Sequence, residues 1–307
     1  MAGRAGHLTA LPTSRSMREH EVRRDDGRRL TVREDGDPDG RPVFRLHGTP
    51  GSRLLYPPHV ADARRRGIRL IGYDRPGYGG STARRGRRVG DVAPDVAAVA
   101  DQLGIDRFAV WGHSGGGAPA IACAARLPGR VVAATSLAGV APPGAEGLDP
   151  LEGMGEANRE DVHLMLSDPA AWEAKLQRES IEYARATPEQ LQSILTTLLS
   201  EVDRAALTPE LVRFFVEEGR EGLRHGADGM RDDNLSDTIP WGFDLSSVRC
   251  PLQIWHGAHD RFVPFAHGQW LAAHLPRAEP HLLPDAGHLG LLSERIPEIH
   301  AWLLAHF

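Results

Sequence analysis

Short apolar runs recur along the first half of the chain and predict the strands of a buried sheet. Turn-forming residues bound each run, as is typical of parallel strands that are covered on both faces. These runs span residues 43–46, 68–73, 108–111 and 131–137. Ahead of them, an alternating and more polar stretch over residues 21–35 has Asp26-Gly27 at its centre. This pattern predicts a β-hairpin, because Asp-Gly favours the tight turns that join antiparallel strands.

Helical spacing separates these runs. Residues 91–103 place Val92, Val96, Val99 and Leu103 three or four positions apart, and residues 115–127 are small and apolar. Strands that alternate with helices predict the α/β class, with a mostly parallel sheet and helices on both of its faces.

The alternation stops after about residue 140, where Pro142-Pro143-Gly144 interrupts the chain. Helical patterns then cover residues 168–185, 188–202 and 209–221. Thr-Pro-Glu occurs at residues 187–189 and 208–210, and it predicts helix starts because threonine caps a helix and proline fits its first turn. The strand and helix patterns then return as strands at 252–255 and 281–283 and helices at 265–275 and 291–307.

These patterns predict three segments. They are a flexible N-terminus over residues 1–20, an α/β body over residues 21–141 and 248–307, and a helical cap insert over residues 142–247. Charge supports the division, since residues 142–240 hold 21 acidic and 9 basic side chains in a chain whose net charge is only −5. An acidic cap predicts a preference for neutral or cationic substrates over anionic ones.

Composition excludes several functional classes. The 307 residues are 41% hydrophobic, which is enough to bury a core without a metal or disulfide. The mild negative charge argues against nucleic acid as a partner, and no apolar run is long enough for a membrane span. Cys123 and Cys250 are expected to be free thiols, which favours a cytoplasmic location.

Ser114 is the candidate nucleophile. It lies in Gly112-His113-Ser114-Gly115-Gly116, directly after the apolar run 108–111 and before a helical pattern. A serine on a tight strand–turn–helix connection is exposed at the sheet edge, and small neighbours leave room for the strained turn. We therefore interpret Gly112, His113 and Gly116 as supporting residues of this turn.

A serine hydroxyl needs a base, and the base needs an orienting acid. His288 follows the last predicted strand, and Asp260 follows the strand pattern at 252–255. Both positions lie beyond the carboxyl ends of strands, where open α/β sheets place their ligands. We predict that His288 accepts the Ser114 proton and that Asp260 orients its imidazole. His256 and His259 have no further ligands at metal-binding spacing, so neither a metal nor a cofactor is predicted.

The loop after the first apolar run is the candidate oxyanion site. It reads His47-Gly48-Thr49-Pro50-Gly51. The backbone N–H groups of Thr49 and Gly115 are the expected donors, with His47 and Gly48 as supporting residues.

Together these motifs resemble the α/β-hydrolase superfamily. The resemblance rests on residues 47–51, 73–79, 112–116, 257–260 and 287–288 and covers the predicted body. The insert lies where the family carries its cap. The resemblance implies that apolar side chains of this cap line an acyl pocket. The candidates are Met154, Leu164, Met165, Trp172, Phe214, Phe215 and Trp241.

The resemblance is less specific for substrate. Serine at position 114 argues against haloalkane dehalogenases and epoxide hydrolases, which have aspartate there. The loop 47–51 is similar to that of proline iminopeptidases, but the sequence around Ser114 differs from their Gly-Gly-Ser-Trp-Gly. Esterases and cofactor-free haloperoxidases of this superfamily share the same fold and the same triad.

The resulting hypothesis is a monomeric or homodimeric serine hydrolase with a small-molecule acyl substrate. The substrate is an ester, lactone, thioester or amide, and it reacts through an acyl-serine intermediate. A carbon–carbon bond hydrolase of the meta-cleavage type and a perhydrolase or haloperoxidase-like side activity remain alternatives. An apparently intact triad disfavours a non-catalytic ligand receptor.

Overall fold

The apolar runs form the strands of one eight-stranded sheet. A computed structural model describes residues 17–307. The strands are β1 Arg18–Arg23, β2 Arg29–Gly36, β3 Arg41–Leu46, β4 Ile68–Tyr73, β5 Phe108–His113, β6 Val131–Leu137, β7 Leu252–Gly257 and β8 Ala278–Leu283. Their order in the sheet is β1-β2-β4-β3-β5-β6-β7-β8. Strands β3 to β8 run parallel to one another, so their carboxyl ends meet at one edge of the sheet.

The predicted hairpin is present and supplies β1 and β2, the first two strands in the order of the sheet. β1 and β2 pair antiparallel, from Arg18 opposite Glu34 to Arg23 opposite Arg29. Gly27 in the turn has φ of 82°, which glycine adopts at little cost. β1 begins inside the segment that was predicted as a flexible N-terminus, and residues 1–16 of that segment lie outside the described residues.

Helices cover both faces of the sheet, as predicted. The α-helices of the body are α1 Pro57–Arg65, α2 Val92–Gln102, α3 Gly117–Arg126, α10 Phe265–His274, α11 His288–Glu294 and α12 Ile296–Leu304. Neighbouring strand residues alternate between two cores. Phe44 packs into the core beneath α2 and α3, whereas Val43 packs into the core beneath α1 and α12.

Residues 142–247, which lie between β6 and β7, are called the insert below. Its helices are α4 Glu156–Ser167, α5 Pro169–Arg185, α6 Pro188–Leu198, α7 Glu201–Ala206, α8 Pro209–Gly222 and α9 Asp228–Ser236. Thr187 and Thr208 cap α6 and α8 as the Thr-Pro-Glu sequences predict.

The helices differ from the patterns in three ways. The last helix is divided at Arg295, because Pro297 has no N–H to continue the hydrogen-bond ladder. The helical pattern over residues 188–202 is also divided, and Ser200 starts α7 by accepting a hydrogen bond from the Asp203 N–H. The patterns did not identify α1, α4 or α9. The buried faces of α1 and α9 include charged side chains such as Asp62 and Asp233, which interrupt an apolar periodicity.

Acidic side chains of the insert pair with arginines of the body. Glu221 binds Arg53 at 2.5 Å, and Asp233 binds both Arg75 and Arg87. Part of the acidic excess of the insert is therefore neutralised at its contact with the body. Whether the remaining charge selects against anionic substrates stays a prediction. Among the described residues, no helix is both long and apolar enough to cross a membrane.

Candidate active site

Ser114 stands on a strained turn at the carboxyl end of the central strand β5. All six residues of β5 are buried, and Ser114 follows them with φ of 55°, a left-handed conformation that is rare outside glycine. The turn requires glycine beside it. A Cβ on Gly112 would lie 1.9 Å from the carbonyl oxygen of Gly116, and a Cβ on Gly116 would lie 2.2 Å from that of Leu46. The structure thus places the predicted nucleophile where local strain fixes its position.

Asp260 and His288 form a buried pair near this turn. The Nδ1–H of His288 donates to Oδ2 of Asp260 at 2.7 Å. The other carboxylate oxygen accepts the backbone N–H groups of Phe262 and Val263 at 2.8 and 2.9 Å. These bonds fix the carboxylate and leave Nε2 of His288 as the ring nitrogen that is free to accept a proton.

Burial opposes both charges of this pair, but the mutual attraction is stronger. Burial acts to raise the pKa of Asp260, yet the His288 charge and its hydrogen bond hold that pKa below its usual value. Burial acts to lower the pKa of His288, yet the Asp260 carboxylate holds that pKa above its usual value. The arrangement favours an imidazolium next to an ionised carboxylate.

His113 connects the turn that carries Ser114 to His288. Its Nε2–H donates to the carbonyl oxygen of His288 at 2.9 Å, and the two ring centroids are 4.6 Å apart. Burial lowers the pKa of His113 to about 3, so this imidazole is neutral at ordinary pH. Ser114 is the next residue along the chain. The structure therefore brings the predicted nucleophile and the predicted base to the same edge of the sheet.

The loop 47–51 lies against the serine turn. A Cβ on Gly48 would lie 3.4 Å from Cβ and 4.0 Å from Oγ of Ser114. A Cβ on Gly115 would lie 2.2 Å from Oγ1 and 3.3 Å from the backbone nitrogen of Thr49. Thr49 and Gly115, whose N–H groups are the predicted oxyanion donors, therefore lie close together beside Ser114.

His47 holds this loop in place. Its Nδ1–H donates to the Gly48 carbonyl at 2.8 Å, and its Nε2 accepts the backbone N–H of Arg75 at 3.0 Å. Burial and the nearby Arg75 and Arg45 charges hold the pKa of His47 well below its usual value, so the ring is neutral. Both ring nitrogens are thereby used for structure.

Two buried aspartates of the insert also reach the site, and the sequence patterns did not identify either. Asp233 of α9 accepts hydrogen bonds from the Thr49 hydroxyl at 2.5 Å and the Tyr78 hydroxyl at 2.6 Å. Burial acts to raise the pKa of Asp233, but Arg75 and Arg87 hold it well below its usual value.

Asp203 of α7 accepts three backbone N–H groups at the start of α11. Two sequence signals lie near these contacts. Motif 73–79 contains partners of Asp233, and Ser200-x-x-Asp203 is a capping pattern. Neither signal indicates which distant residue its aspartate binds or is bound by.

The predicted pocket residues are mainly packing residues. Trp172 and Met165 share one buried cluster of the insert, Phe214 packs on Tyr56, and Trp241 joins the main core. A cavity beside Gly115 is instead lined largely by charged side chains, among them Arg75, Arg84, Arg87, Asp233 and Asp237. Burial raises the pKa of Asp237 to about 7.

His256 and His259 do not converge on a metal position. His256 is buried and its Nε2–H donates to the Val263 carbonyl at 2.9 Å, whereas His259 is exposed. Over residues 17–307, no group of three or more histidine, cysteine, aspartate or glutamate side chains could hold a metal ion. Both cysteines are buried free thiols.

The sheet order, the strained serine and the helices on both faces define an α/β hydrolase. A family model described as the alpha/beta hydrolase fold matches residues 41–294, and the chain belongs to this family.

Relatives in sequence and structure span nearly the whole chain. An AB hydrolase superfamily protein, YisY of Bacillus subtilis, is 28% identical over 94% of this chain and 98% of its own length. A 2-hydroxy-6-oxononadienedioate/2-hydroxy-6-oxononatrienedioate hydrolase of Comamonas testosteroni is 28% identical over 81% of this chain and 82% of its own. A thermophilic esterase from Thermogutta terrifontis has a similar structure, with a TM-score of 0.67 and 22% identity, over 94% of this chain and 100% of the esterase.

Proposed function

We propose that the protein is a serine hydrolase that cleaves a small ester, lactone, thioester or amide through an acyl-Ser114 intermediate. The observation that carries the proposal is the 2.7 Å bond between His288 and Asp260 at the edge of the sheet where the strained Ser114 follows β5. A nucleophile, a base and an orienting acid are the three groups that acyl transfer to serine requires.

The groups of the site have different roles in the proposed reaction. Nε2 of His288 accepts the Ser114 hydroxyl proton as Oγ attacks the acyl carbon, and Asp260 stabilises the imidazolium that forms. The N–H groups of Thr49 and Gly115 donate to the oxyanion of the tetrahedral intermediate. The imidazolium then gives its proton to the leaving group. Water, deprotonated by His288, hydrolyses the acyl-serine and restores the enzyme.

The insert acts as the cap of this site in the proposal. Asp203 and Asp233 support this role, because Asp203 joins an insert helix to the first turn of α11 and Asp233 joins another to the 47–51 loop. A cap that excludes bulk water strengthens the electrostatic interactions of the oxyanion donors.

Labelling at Ser114 tests the mechanism. We expect a fluorophosphonate probe to modify Ser114, and short p-nitrophenyl esters to be cleaved by the wild-type protein. Ser114→Ala should lose both properties, while Ser167→Ala, an exposed serine at the end of α4, should keep them. Full esterase activity in Ser114→Ala would refute the proposal.

A second candidate is hydrolysis of a carbon–carbon bond. It is supported by the Comamonas testosteroni relative, whose name describes hydrolysis of a hydroxy-oxo-diene dicarboxylate. A panel of 2-hydroxy-6-oxo-dienoates assayed beside p-nitrophenyl esters separates the two candidates. A kcat/KM at least about a hundredfold higher on the dienoates would assign the carbon–carbon reaction, since this corresponds to about 2.7 kcal/mol of preferential transition-state binding.

A further inference from the structure

The main chain that carries His288 is held by a carboxylate from the insert. Oδ2 of Asp203 accepts the backbone N–H of His288 at 2.8 Å. Oδ1 accepts those of Leu289 at 2.7 Å and Gly290 at 3.3 Å. These are N–H groups of the first turn of α11, which have no partners within the helix. An aspartate 85 residues away in sequence thus serves as the cap of this helix.

The approach of Asp203 explains the glycine before the histidine. A Cβ at Gly287 would lie 2.3 Å from Oδ2 of Asp203. The backbone of Gly287 has a negative φ of −111°, so conformation alone does not require glycine there. Room for the carboxylate is the requirement that the structure shows.

The carboxylate itself is buried and fixed. Asp203 has no measurable exposure, and the Ser200 hydroxyl donates to its Oδ2 at 3.1 Å. A carboxylate so deeply buried is costly unless its oxygens are hydrogen-bonded, and both oxygens of Asp203 are.

Among residues 17–307, four ionisable side chains face the His288 region, namely those of Asp203, Asp260, His113 and His256. Asp260 binds its ring directly, His113 packs against the ring, and His256 lies 3.5 Å from Asp260. Burial lowers the pKa of both His113 and His256, so both are neutral at ordinary pH. Asp260 and Asp203 therefore supply the negative charge. Asp203 acts in the same direction as Asp260 on the pKa of His288, by favouring the imidazolium.

We propose that Asp203 is a positioning residue for His288, which ties the proton-transfer geometry of the site to the docking of the insert. Its carboxylate fixes the first turn of α11 and adds a second negative charge beside the imidazole. This inference rests on the proposed role of His288 as the base.

Asp203→Asn is the informative substitution. It keeps the size of the side chain but removes the charge and leaves only one oxygen for three N–H groups. Glu201→Gln is the matched control, because it removes one negative charge from the same helix at an exposed position. The measurements are the rate of fluorophosphonate labelling against pH, the titration of the His288 ring by NMR with ¹³C-labelled histidine, and the melting temperature.

We expect Asp203→Asn to reduce the plateau labelling rate about tenfold, a fraction of the full effect of a general base. The His288 titration and the acidic limb of the rate profile should both move to lower pH. Glu201→Gln should match the wild type in all three measurements. A reduced melting temperature with an unchanged rate profile would indicate a purely structural Asp203 and overturn the inference. A changed His288 titration with no change in the labelling rate would overturn the inference as well.

The two proposals fail in different ways. If wild-type Ser114 is not labelled, the proposed function fails. If Ser114 is labelled but the Asp203→Asn and Glu201→Gln profiles coincide, only the role of Asp203 fails.

Discussion

Arg45 of β3 and Glu218 of α8 form an ion pair with 2.6 Å between Nη1 and Oε1, and each side chain is only 5% exposed. The same guanidinium donates to the carbonyl oxygens of Ser52 and Leu54. One arginine thereby joins the sheet, the segment after the 47–51 loop and the insert.

Removing one member of this pair should destabilise the protein. Glu218→Gln leaves Arg45 buried without a counter-charge, so we expect the free energy of unfolding to fall by about 3–5 kcal/mol. Urea denaturation followed by circular dichroism measures the change. Glu217→Gln, at an exposed position next to it, should change the free energy by less than about 0.5 kcal/mol. The double variant Arg45→Met with Glu218→Leu should recover part of the loss, because neither charge then remains buried. A Glu218→Gln protein as stable as the control would contradict this view of the pair.

Activity should depend on pH through His288. In the proposed reaction only a neutral His288 imidazole can accept the Ser114 proton. The pKa of His288 is raised above 6.5 by the Asp260 carboxylate against the effect of burial. We therefore expect kcat/KM for an ester to fall as pH decreases, with a midpoint above 6.5. Asp260→Asn should move that midpoint to lower pH and reduce kcat by about 10⁴-fold, because the imidazolium loses its partner and the tautomer is no longer fixed. A midpoint that does not move in Asp260→Asn would speak against His288 as the titrating base.

Gly115→Ala should impair the oxyanion site. The new Cβ would lie 2.2 Å from Oγ1, 3.1 Å from Cβ and 3.3 Å from the backbone nitrogen of Thr49, so Thr49 must shift away from residue 115. We expect kcat to fall by about 10²-fold with little change in KM, as for the loss of one oxyanion donor. Gly129→Ala is the control, since a Cβ there meets no atom within 4 Å. Steady-state kinetics on one ester suffice, and equal kcat values in the two variants would be evidence against this placement of the donors.

The Thr49 hydroxyl should matter only as an anchor. Its bond to Asp233 fixes the loop, while the proposed catalytic group is the backbone N–H. Thr49→Val removes the bond and keeps the N–H, so we expect kcat to fall about tenfold, less than the loss of a complete donor. Thr49→Ser keeps a hydroxyl and should retain most of the wild-type kcat. If serine and valine reduce kcat equally, the hydrogen bond to Asp233 does not position the loop.

The body of the fold could be predicted from local patterns. The Asp26-Gly27 turn, the short apolar runs and the strand–turn–helix around Ser114 are each encoded within a few neighbouring residues, and each is present. Asp260 and His288 were predicted to be neighbours because parallel strands end at the same edge, and their side chains bind at 2.7 Å.

The contribution of the insert could not be predicted in this way. Asp203 and Asp233 lie on helices whose charged sequences are typical of solvent-exposed surfaces, yet both side chains are buried. Their partners are main-chain N–H groups and arginines more than 80 residues away, and helical periodicity contains no information about such partners. The acidic excess of the insert was visible in composition, but only the three-dimensional contacts show where it meets the arginines of the body.

The bonds from Asp203 to α11 and from Asp233 to Thr49 join segments 85 and 184 residues apart. Both bonds connect the insert to the body, so any local opening of the insert would break them while the sheet stays folded. The base and the oxyanion loop would then lack their supports. In that state the protein would be inactive although its sheet is intact.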